Sequence, residues 1–326
     1  MENRLLKSED IQEFINPNQQ IIVGFSGGID STALLHLCFE LFEQKKIFNL
    51  SAVHVNHNLS AHSDVWAKHC QVICKDLKIP LKTFSVNIDK NKSSLESQSR
   101  QQRFNCYKQI LQPDGQLLLA HHCDDVAETI FLRLFRGTGI DGLQGLKTYR
   151  KFFHAQIIRP LLSFNKKDCL NYVKKNKLKF IEDDSNNNNS FDRNFLRNII
   201  FPEINNRWKQ PSKRIFAMTE KTQKKINALD YFLQESFAEE VENGVLVREK
   251  FKNIPIYVIE EVIRFILRKK SIAAPNENVL AEVIKTFFIQ KPTQKSLVKW
   301  SRKDGDQRGG KVWFEQDQVF INYSES

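Results

Sequence analysis

The sequence predicts an α/β fold, a parallel sheet with helices on both faces, followed by a C-terminal, mainly helical α+β domain. Three observations predict it. Short apolar runs alternate with helical patterns through residues 21–135, the mark of successive strand–helix–strand units. Past Pro202 and Pro211 that alternation gives way to longer helical segments and then to short alternating runs. The 326 residues also exceed what one core ordinarily organises. Two domains are therefore expected, residues 1–211 and 212–326.

Ile21, Ile22, Val23, Gly24 and Phe25 form a buried-strand run that ends at Ser26-Gly27-Gly28. A helical pattern follows through Leu34, Leu35, Leu37, Cys38, Leu41 and Phe42. The same order repeats, with strands expected at 50–55, 81–86 and 116–120 and helices at 61–77, 95–111 and 124–135. Ligands of such sheets bind outside the carboxyl ends of the strands, so the residues just after each strand are where chemistry is expected. In the second half, helices are expected at 212–239, 254–270 and 276–289. Strands are expected at 296–300, 312–314 and 319–323. The polar stretch 183–190, rich in Asn and Asp, reads on composition as a flexible linker.

Hydrophobic residues at 41% and charged residues at 27% fit a soluble globular chain rather than a disordered one. The first 14 residues mix charge with single apolar positions and lack the apolar core of a signal peptide. No run approaches the roughly 18 apolar residues needed to span a bilayer. A cytoplasmic protein without membrane partners is expected. None of the six cysteines stands in a C-x-x-C pair, which argues against a disulfide framework. Cys70 and Cys74, four apart on an amphipathic helix, read as core rather than as zinc ligands.

The net charge of +11 favours a polyanionic partner. Its location sharpens this. Residues 164–214 hold 12 basic and 6 acidic side chains, and residues 285–311 hold 8 and 2. Both runs lie outside the half that carries the candidate catalytic motifs, as they would if a long anion crossed the molecule.

Ser26-Gly27-Gly28-Ile29-Asp30-Ser31-Thr32 stands between a strand and a helix start. Glycines there let backbone approach a ligand, and the free N–H groups of a helix's first turn suit phosphate. Ser26, Ser31 and Thr32 add hydroxyls. Asp30 would repel an anion unless it held the Mg²⁺ that accompanies a nucleotide, and Asp30 or Ser31 could otherwise simply cap the helix. The Walker pattern is absent. Gly24-x-Ser26-x-Gly28 also fits a hydrolase nucleophile elbow, which needs a later histidine, but the last one is His154.

A second cluster, His121-His122-Cys123-Asp124-Asp125-Val126-Ala127-Glu128-Thr129, begins where a strand ends. Asp125 and Glu128 share a helix face and, as like charges, call for a cation: Mg²⁺ or an amine substrate. His121 and His122 could contact phosphate or shuttle a proton. The bland alternative is an N-capped helix with an acidic solvated face.

Ser-Gly-Gly-x-Asp-Ser after a hydrophobic strand resembles the PP-loop of ATP pyrophosphatases. The wider order is similar to the tRNA(Ile)-lysidine synthetase family. It runs from that loop through His54-Val55-Asn56-His57-Asn58-Leu59, Arg100-x-x-Arg103-Phe104 and the His121–Thr129 cluster. It continues through Arg136-Gly-Thr-Gly, Arg159-Pro160-Leu161-Leu162, Glu182-Asp183-x-Ser185-Asn186 and Arg193-Asn194-x-x-Arg197. The resemblance covers residues 20–205 strongly and implies a Rossmann-like fold of the PP-loop ATPase type. Phe104 stands where a tyrosine is usual. The resemblance also draws 183–190 to the active site rather than to a linker.

The resemblance implies ATP and Mg²⁺ as cofactors, with L-lysine and an isoleucine tRNA bearing a CAU anticodon as partners; a homodimer is the assembly it allows. It carries nucleotide binding to Ser26, Gly27, Gly28, Ile29, Asp30, Ser31, His54, Asn56 and Gly137, with Mg²⁺ at Asp30. Lysine falls to Arg100, Arg103, Asp125 and Glu128, and tRNA to Arg193, Arg197, Arg207 and Lys299. Asp30, His121, Asp125 and Arg193 are the catalytic candidates. The longest members carry a further C-terminal domain that this chain is expected to lack. The nearest rival is a PP-loop tRNA thiolase, which would bring paired cysteines; an RNA-binding protein with a vestigial nucleotide site would have lost Asp30 or the glycines.

Overall fold

A computed structural model describes residues 5–60, 62–88, 95–182, 188–301 and 308–324. The chain separates into two compact units, Met1–Gln223 and Lys224–Ser326.

The first unit opens with a short helix α1 (Glu9–Gln12) and then alternates: β1 (Ile21–Gly24), α2 (Ile29–Glu43), β2 (Leu50–Asn56), α3 (Ser63–Asp76), β3 (Leu81–Ser85), α4 (Leu95–Ile110), β4 (Gln116–Leu118) and α5 (Cys123–Leu134). A hairpin of β5 (Tyr149–Phe152) and β6 (Ala155–Ile158) precedes α6 (Lys166–Lys175), α7 (Asp192–Phe195) and α8 (Phe201–Arg207). The six strands lie in the order β3-β2-β1-β4-β6-β5, all parallel except the antiparallel edge β5.

The central strand β1 is apolar throughout because both faces are covered. On β1, Ile21 and Val23 join one core with Leu34, Leu37 and Leu41 of α2, Cys70 and Cys74 of α3, and Tyr172 of α6. Ile22 joins another with Phe104 and Tyr107 of α4, Leu117 and Phe152. α2 has no polar stripe along its middle: Ala33, Leu34, Leu35, Leu37 and Cys38 are all buried. Each such side chain contributes roughly 1–3 kcal/mol by leaving water.

The chain leaves β1 for β2 and β3 on one side, then crosses to β4 and β6 on the other. Neighbouring β1 and β4 therefore flank the switch point, and the loops after them open on the same crevice. This puts the glycine loop beside the His121–Glu128 cluster, although nearly a hundred residues separate them in sequence.

Three elements of this unit, β5, β6 and α6, carry too little sequence pattern to be expected. β5 and β6 are four residues each, and β5 mixes Arg and Lys with aromatics; pairing of β6 with β4 makes them strands, which propensity does not. α6 buries only Cys169, Tyr172 and Val173, and its start is fixed by the Asn165 side chain accepting from the Asp168 N–H at 2.8 Å. Residues 183–187 of the linker-like stretch lie outside the described residues, as does residue 61, where α3 was expected to begin.

In the second unit, the end of the long helix α9 (Pro211–Ser236) leads to α10 (Ala238–Asn243), β7 (Val245–Val247), α11 (Ile256–Lys269), α12 (Glu277–Ile284), β8 (Leu297–Lys299), β9 (Gly310–Glu315) and β10 (Gln318–Tyr323). The strands form an antiparallel sheet in the order β7-β10-β9-β8. β9 and β10 join through Gln316 and Asp317, both at positive φ, as a two-residue hairpin turn requires. Val312, Phe314, Val319 and Ile321 point into a core with Val262, Ile266 and Phe287. Helices at the three expected places and the closing hairpin agree with the sequence; three-residue β7 carries too little pattern to be foreseen. Among the described residues, no helix is long and apolar enough to cross a membrane.

Candidate active site

The loop after β1 is knitted by its own hydroxyls. The Ser26 N–H donates to Ser31 Oγ at 3.2 Å, the two serine oxygens are 3.0 Å apart, and the Ser31 hydroxyl reaches Gly28 O at 3.1 Å. Thr32 Oγ1 donates to Gly27 O at 3.3 Å. Gly28, not Asp30 or Ser31, holds the cap position of α2, and no side chain caps it. The positive end of the helix and its first-turn amides are thus left to a ligand, as phosphate binding demands.

Gly27 has φ +85, and a Cβ there would come within 2.9 Å of Ile181 Cδ1 and 3.1 Å of Cys70 Sγ. The contact is reinforced by the Ile181 N–H donating to Gly27 O at 2.8 Å. The chain entering the linker-like stretch is therefore fastened to the glycine loop. Composition could not reveal this, because the bond is made by backbone.

His54, at the end of β2, reaches Phe25 O at 2.9 Å through Nδ1. Two residues on, Asn56 Nδ2 donates to Asp64 at 3.0 Å. Both are buried beside the loop. Burial lowers the His54 pKa, so it is neutral.

From the other side of the crevice, His122 reaches the loop. Its Nε2 lies 3.5 Å from Asp30 Oδ2, and its Nδ1 lies 3.5 Å from Asp124 and from Asp125. Burial opposes a proton here, but Asp125, Asp30 and Asp124 together raise the pKa to about 9, and His122 is an imidazolium at neutral pH. Its neighbour is the reverse. Burial, assisted by Arg159, Arg193 and Arg100 against the pull of Asp125, lowers His121 to about 3 and keeps it neutral. Adjacent in sequence, these two histidines are separated by the charged groups that each ring meets.

Asp125 accepts from the His122 N–H at 3.0 Å. Despite burial, the His122 charge holds its carboxyl at about 2. Glu128, only 1% exposed, accepts from Arg193 Nε at 3.0 Å and from Arg197 Nε and Nη2 at 2.6 and 2.9 Å. Arg197 also reaches Asp125 at 3.3 Å. The cation that the acidic pair calls for is thus supplied in good part by the chain itself. Asp30, His122, Asp125, Arg197, Glu128 and Arg193 form one continuous relay of opposite charges.

Other expected residues are not part of this relay. Arg103 lies on the exposed side of α4, and Arg207 is exposed at the end of α8. Gly137, at φ +71, stands in an open turn after α5 with no heavy atom within 4 Å of a would-be Cβ. Lys299 is exposed on β8 in the second unit. Arg100 lies over the Phe104 ring at 5.0 Å.

Fold and site together define an α/β protein with an uncapped helix start after β1 and a charged relay after β4. A family model described as a PP-loop domain matches residues 3–204, and the chain belongs to that family. Among curated relatives, a tRNA(Ile)-lysidine synthase of Haemophilus influenzae (strain PittGG) is 34% identical over 278 residues, covering 84% of this chain and 64% of that protein. One of Buchnera aphidicola subsp. Acyrthosiphon pisum is 37% identical over 269 residues, covering 82% and 61%. One of Yersinia pestis is 42% identical over 195 residues, covering 60% and 42%. The chain thus spans 42% to 64% of the length of these relatives. Among solved structures, a U34-tRNA thiolase of Methanococcus maripaludis with its [4Fe-4S] cluster aligns with a TM-score of 0.53 at 17% identity, over 66% of this chain and 76% of that one, a likeness of fold.

Proposed function

We propose that the chain is a tRNA(Ile)-lysidine synthase, an ATP-consuming ligase that joins L-lysine to C2 of the wobble cytidine in a CAU-anticodon isoleucine tRNA. One observation carries the reading: the uncapped α2 start, with Ser26 and Ser31 beside it, faces a crevice whose other wall is the His121–Glu128 relay. Phosphate chemistry and amine recognition thus meet at one place. The relatives' names point the same way.

In this reading residues 1–211 are catalytic and 212–326, with Lys299, bind tRNA; Arg207 adds tRNA contact. The amides of Ile29, Asp30 and Ser31 and the serine hydroxyls hold the phosphates, while His54, Asn56 and Gly137 line the nucleotide side. The cytidine O2 attacks the α-phosphorus and pyrophosphate leaves; the lysine ε-amine then attacks C2 and AMP leaves. Mg²⁺ fits at Asp30: Oδ1 is buried without a hydrogen-bond partner while Oδ2 faces His122. An ion held there would supply neutralisation of the charge that develops on the phosphates. Asp125, ionised down to about 2, takes the α-ammonium of lysine together with Glu128. Neutral His121 accepts a hydrogen bond without adding charge beside them. Arg100 and Arg103 serve the lysine or the nucleotide, and Arg193 and Arg197 present the acidic pair and meet RNA phosphate. A cytoplasmic setting accords with this substrate.

The thiolase alternative needs a reactive sulfur. All six cysteines are buried, and burial pushes Cys70 and Cys74 up to about 12.

The test is to incubate the protein with ATP, labelled lysine and the CAU tRNA. ATP-dependent label on the tRNA with release of AMP and pyrophosphate is expected; transfer without ATP, or incorporation of sulfur in its place, defeats the reading. Gly27→Ala should fail at the same step. A side chain at φ +85, 2.9 Å from Ile181, displaces the loop. It should lower stability by about 1–3 kcal/mol and weaken ATP binding at least roughly tenfold. Calorimetric titration with a nonhydrolysable ATP analogue measures this, and parent-like affinity would show that the loop is not the phosphate cradle.

A further inference from the structure

Arg159 has no place in the relay, yet it is 2% exposed. It follows β6, whose neighbour β4 leads to His121, so the two residues leave the carboxyl ends of adjacent strands. Nη1 donates to Lys147 O at 2.8 Å, while Nε is buried and has no hydrogen-bond partner. Among the described residues, Arg159 makes no ion pair with a carboxylate. A buried guanidinium without a counter-charge is strongly disfavoured unless an anion joins it.

Its surroundings add positive charge. Arg100 and Arg150 both lie against the Phe104 ring, 5.0 and 5.8 Å from its centroid, and with burial they pull Arg159 down to about 9, still charged at neutral pH. Within electrostatic reach, at the end of the adjacent strand, is His121, with Nδ1 also buried and unpartnered. Asp125 acts on this ring with one sign, and Arg159 and Arg100 with the other. A carboxylate and several guanidinium groups thus act on one neutral imidazole.

That is the charge pattern of a free amino acid's head group, whose ammonium and carboxylate sit on one carbon. We propose that Arg159, with Arg100 beside it, holds the α-carboxylate of the lysine substrate. The proposal rests on the ligase reading above. A phosphate of ATP has its own donors after β1. The site therefore makes the enzyme select an α-amino acid over a simple diamine, which the acidic residues alone could not do.

The experiment compares lysine, lysinamide and cadaverine as acceptors in the parent and in Arg159→Met and Arg159→Lys. The parent should prefer lysine to either analogue by about 10- to 100-fold in kcat/KM, the size of a lost charged hydrogen bond. Arg159→Met should raise the KM for lysine by a similar factor, bring the three amines close together, and leave tRNA-dependent ATP–pyrophosphate exchange within about twofold of the parent. Arg159→Lys, which keeps the charge without the fork, should fall between. A parent that uses cadaverine as well as lysine overturns the proposal, even if the variants fail to fold. An Arg159→Met effect confined to the KM for tRNA or ATP overturns it too, and assigns the arginine to phosphate. Exchange without any amine transfer by the parent rejects the lysine-ligase reading instead.

Discussion

On the proposed ligase reading, Asp30→Ala is expected to abolish lysine transfer, by about 10³-fold or more in kcat/KM, while leaving the fold intact. The carboxylate is 29% exposed at the mouth of the crevice, so its loss opens no cavity in the core. What disappears is the group able to hold a divalent cation at the phosphates and one of the three acids that keep His122 charged. Asp30→Asn separates these roles, because it keeps the shape and a hydrogen bond but not the charge. His122 has a folded pKa of about 9 against an ordinary 6.5, so its contribution is fully present below about pH 6.5 and is lost as pH rises through about 9. For a side chain 2% exposed this amounts to about 3 kcal/mol, shared among Asp125, Asp30 and Asp124. The Asn variant should be less stable than the parent by about 1 kcal/mol near pH 6, with the gap closing by about pH 10. Denaturant unfolding across that range, together with the transfer assay, checks both. An active Asp30→Ala enzyme removes the cation from the mechanism; a gap that widens with pH removes the His122 imidazolium.

The parts of the site that the sequence disclosed are those set by local chemistry. A strand, two glycines and a helix start announce a turn suited to phosphate, because each requirement falls on consecutive residues. Asp125 and Glu128 announce a shared face, because helical spacing guarantees it. What stayed hidden was set by partners remote in sequence. That His122 is charged and His121 neutral depends on Asp30, ninety residues away, and on Arg159 from another strand. Arg193 and Arg197, which the resemblance assigns to tRNA, also bond Glu128 of α5, a pairing that their own segment does not announce. The hairpin β5–β6 escaped for a related reason: its alternation is too short to register, and it is a strand pair only because β4 offers an edge. Arg159 stood in a recognisable Arg-Pro-Leu-Leu segment, yet burial, the property that gives it meaning, has no signature in a single sequence.

Arg197→Met is expected to produce the largest loss of stability among changes to the relay, about 2–4 kcal/mol at neutral pH. Arg197 supplies two of the bonds to Glu128 and the link to Asp125, and the carboxylate it leaves behind is 1% exposed with, among the described residues, Arg193 to balance it. Burial already raises the Glu128 pKa, and Arg197 is first among the groups that oppose this. Without Arg197 the folded-state value climbs further, so the folded variant binds a proton that the unfolded chain releases at about 4.5. Stability of the variant should therefore decline relative to the parent as pH rises above about 4.5, and the deficit should shrink in mild acid. Adding Glu128→Gln removes the stranded charge, and the double variant should recover at least about 1 kcal/mol of what the single change lost. The same pair of proteins decides what Arg197 does for RNA. If the arginine only balances Glu128, the double variant regains the parent's KM for tRNA along with its stability. If it also meets a phosphate, stability returns while the KM for tRNA stays raised and the salt dependence of binding falls by about one charge.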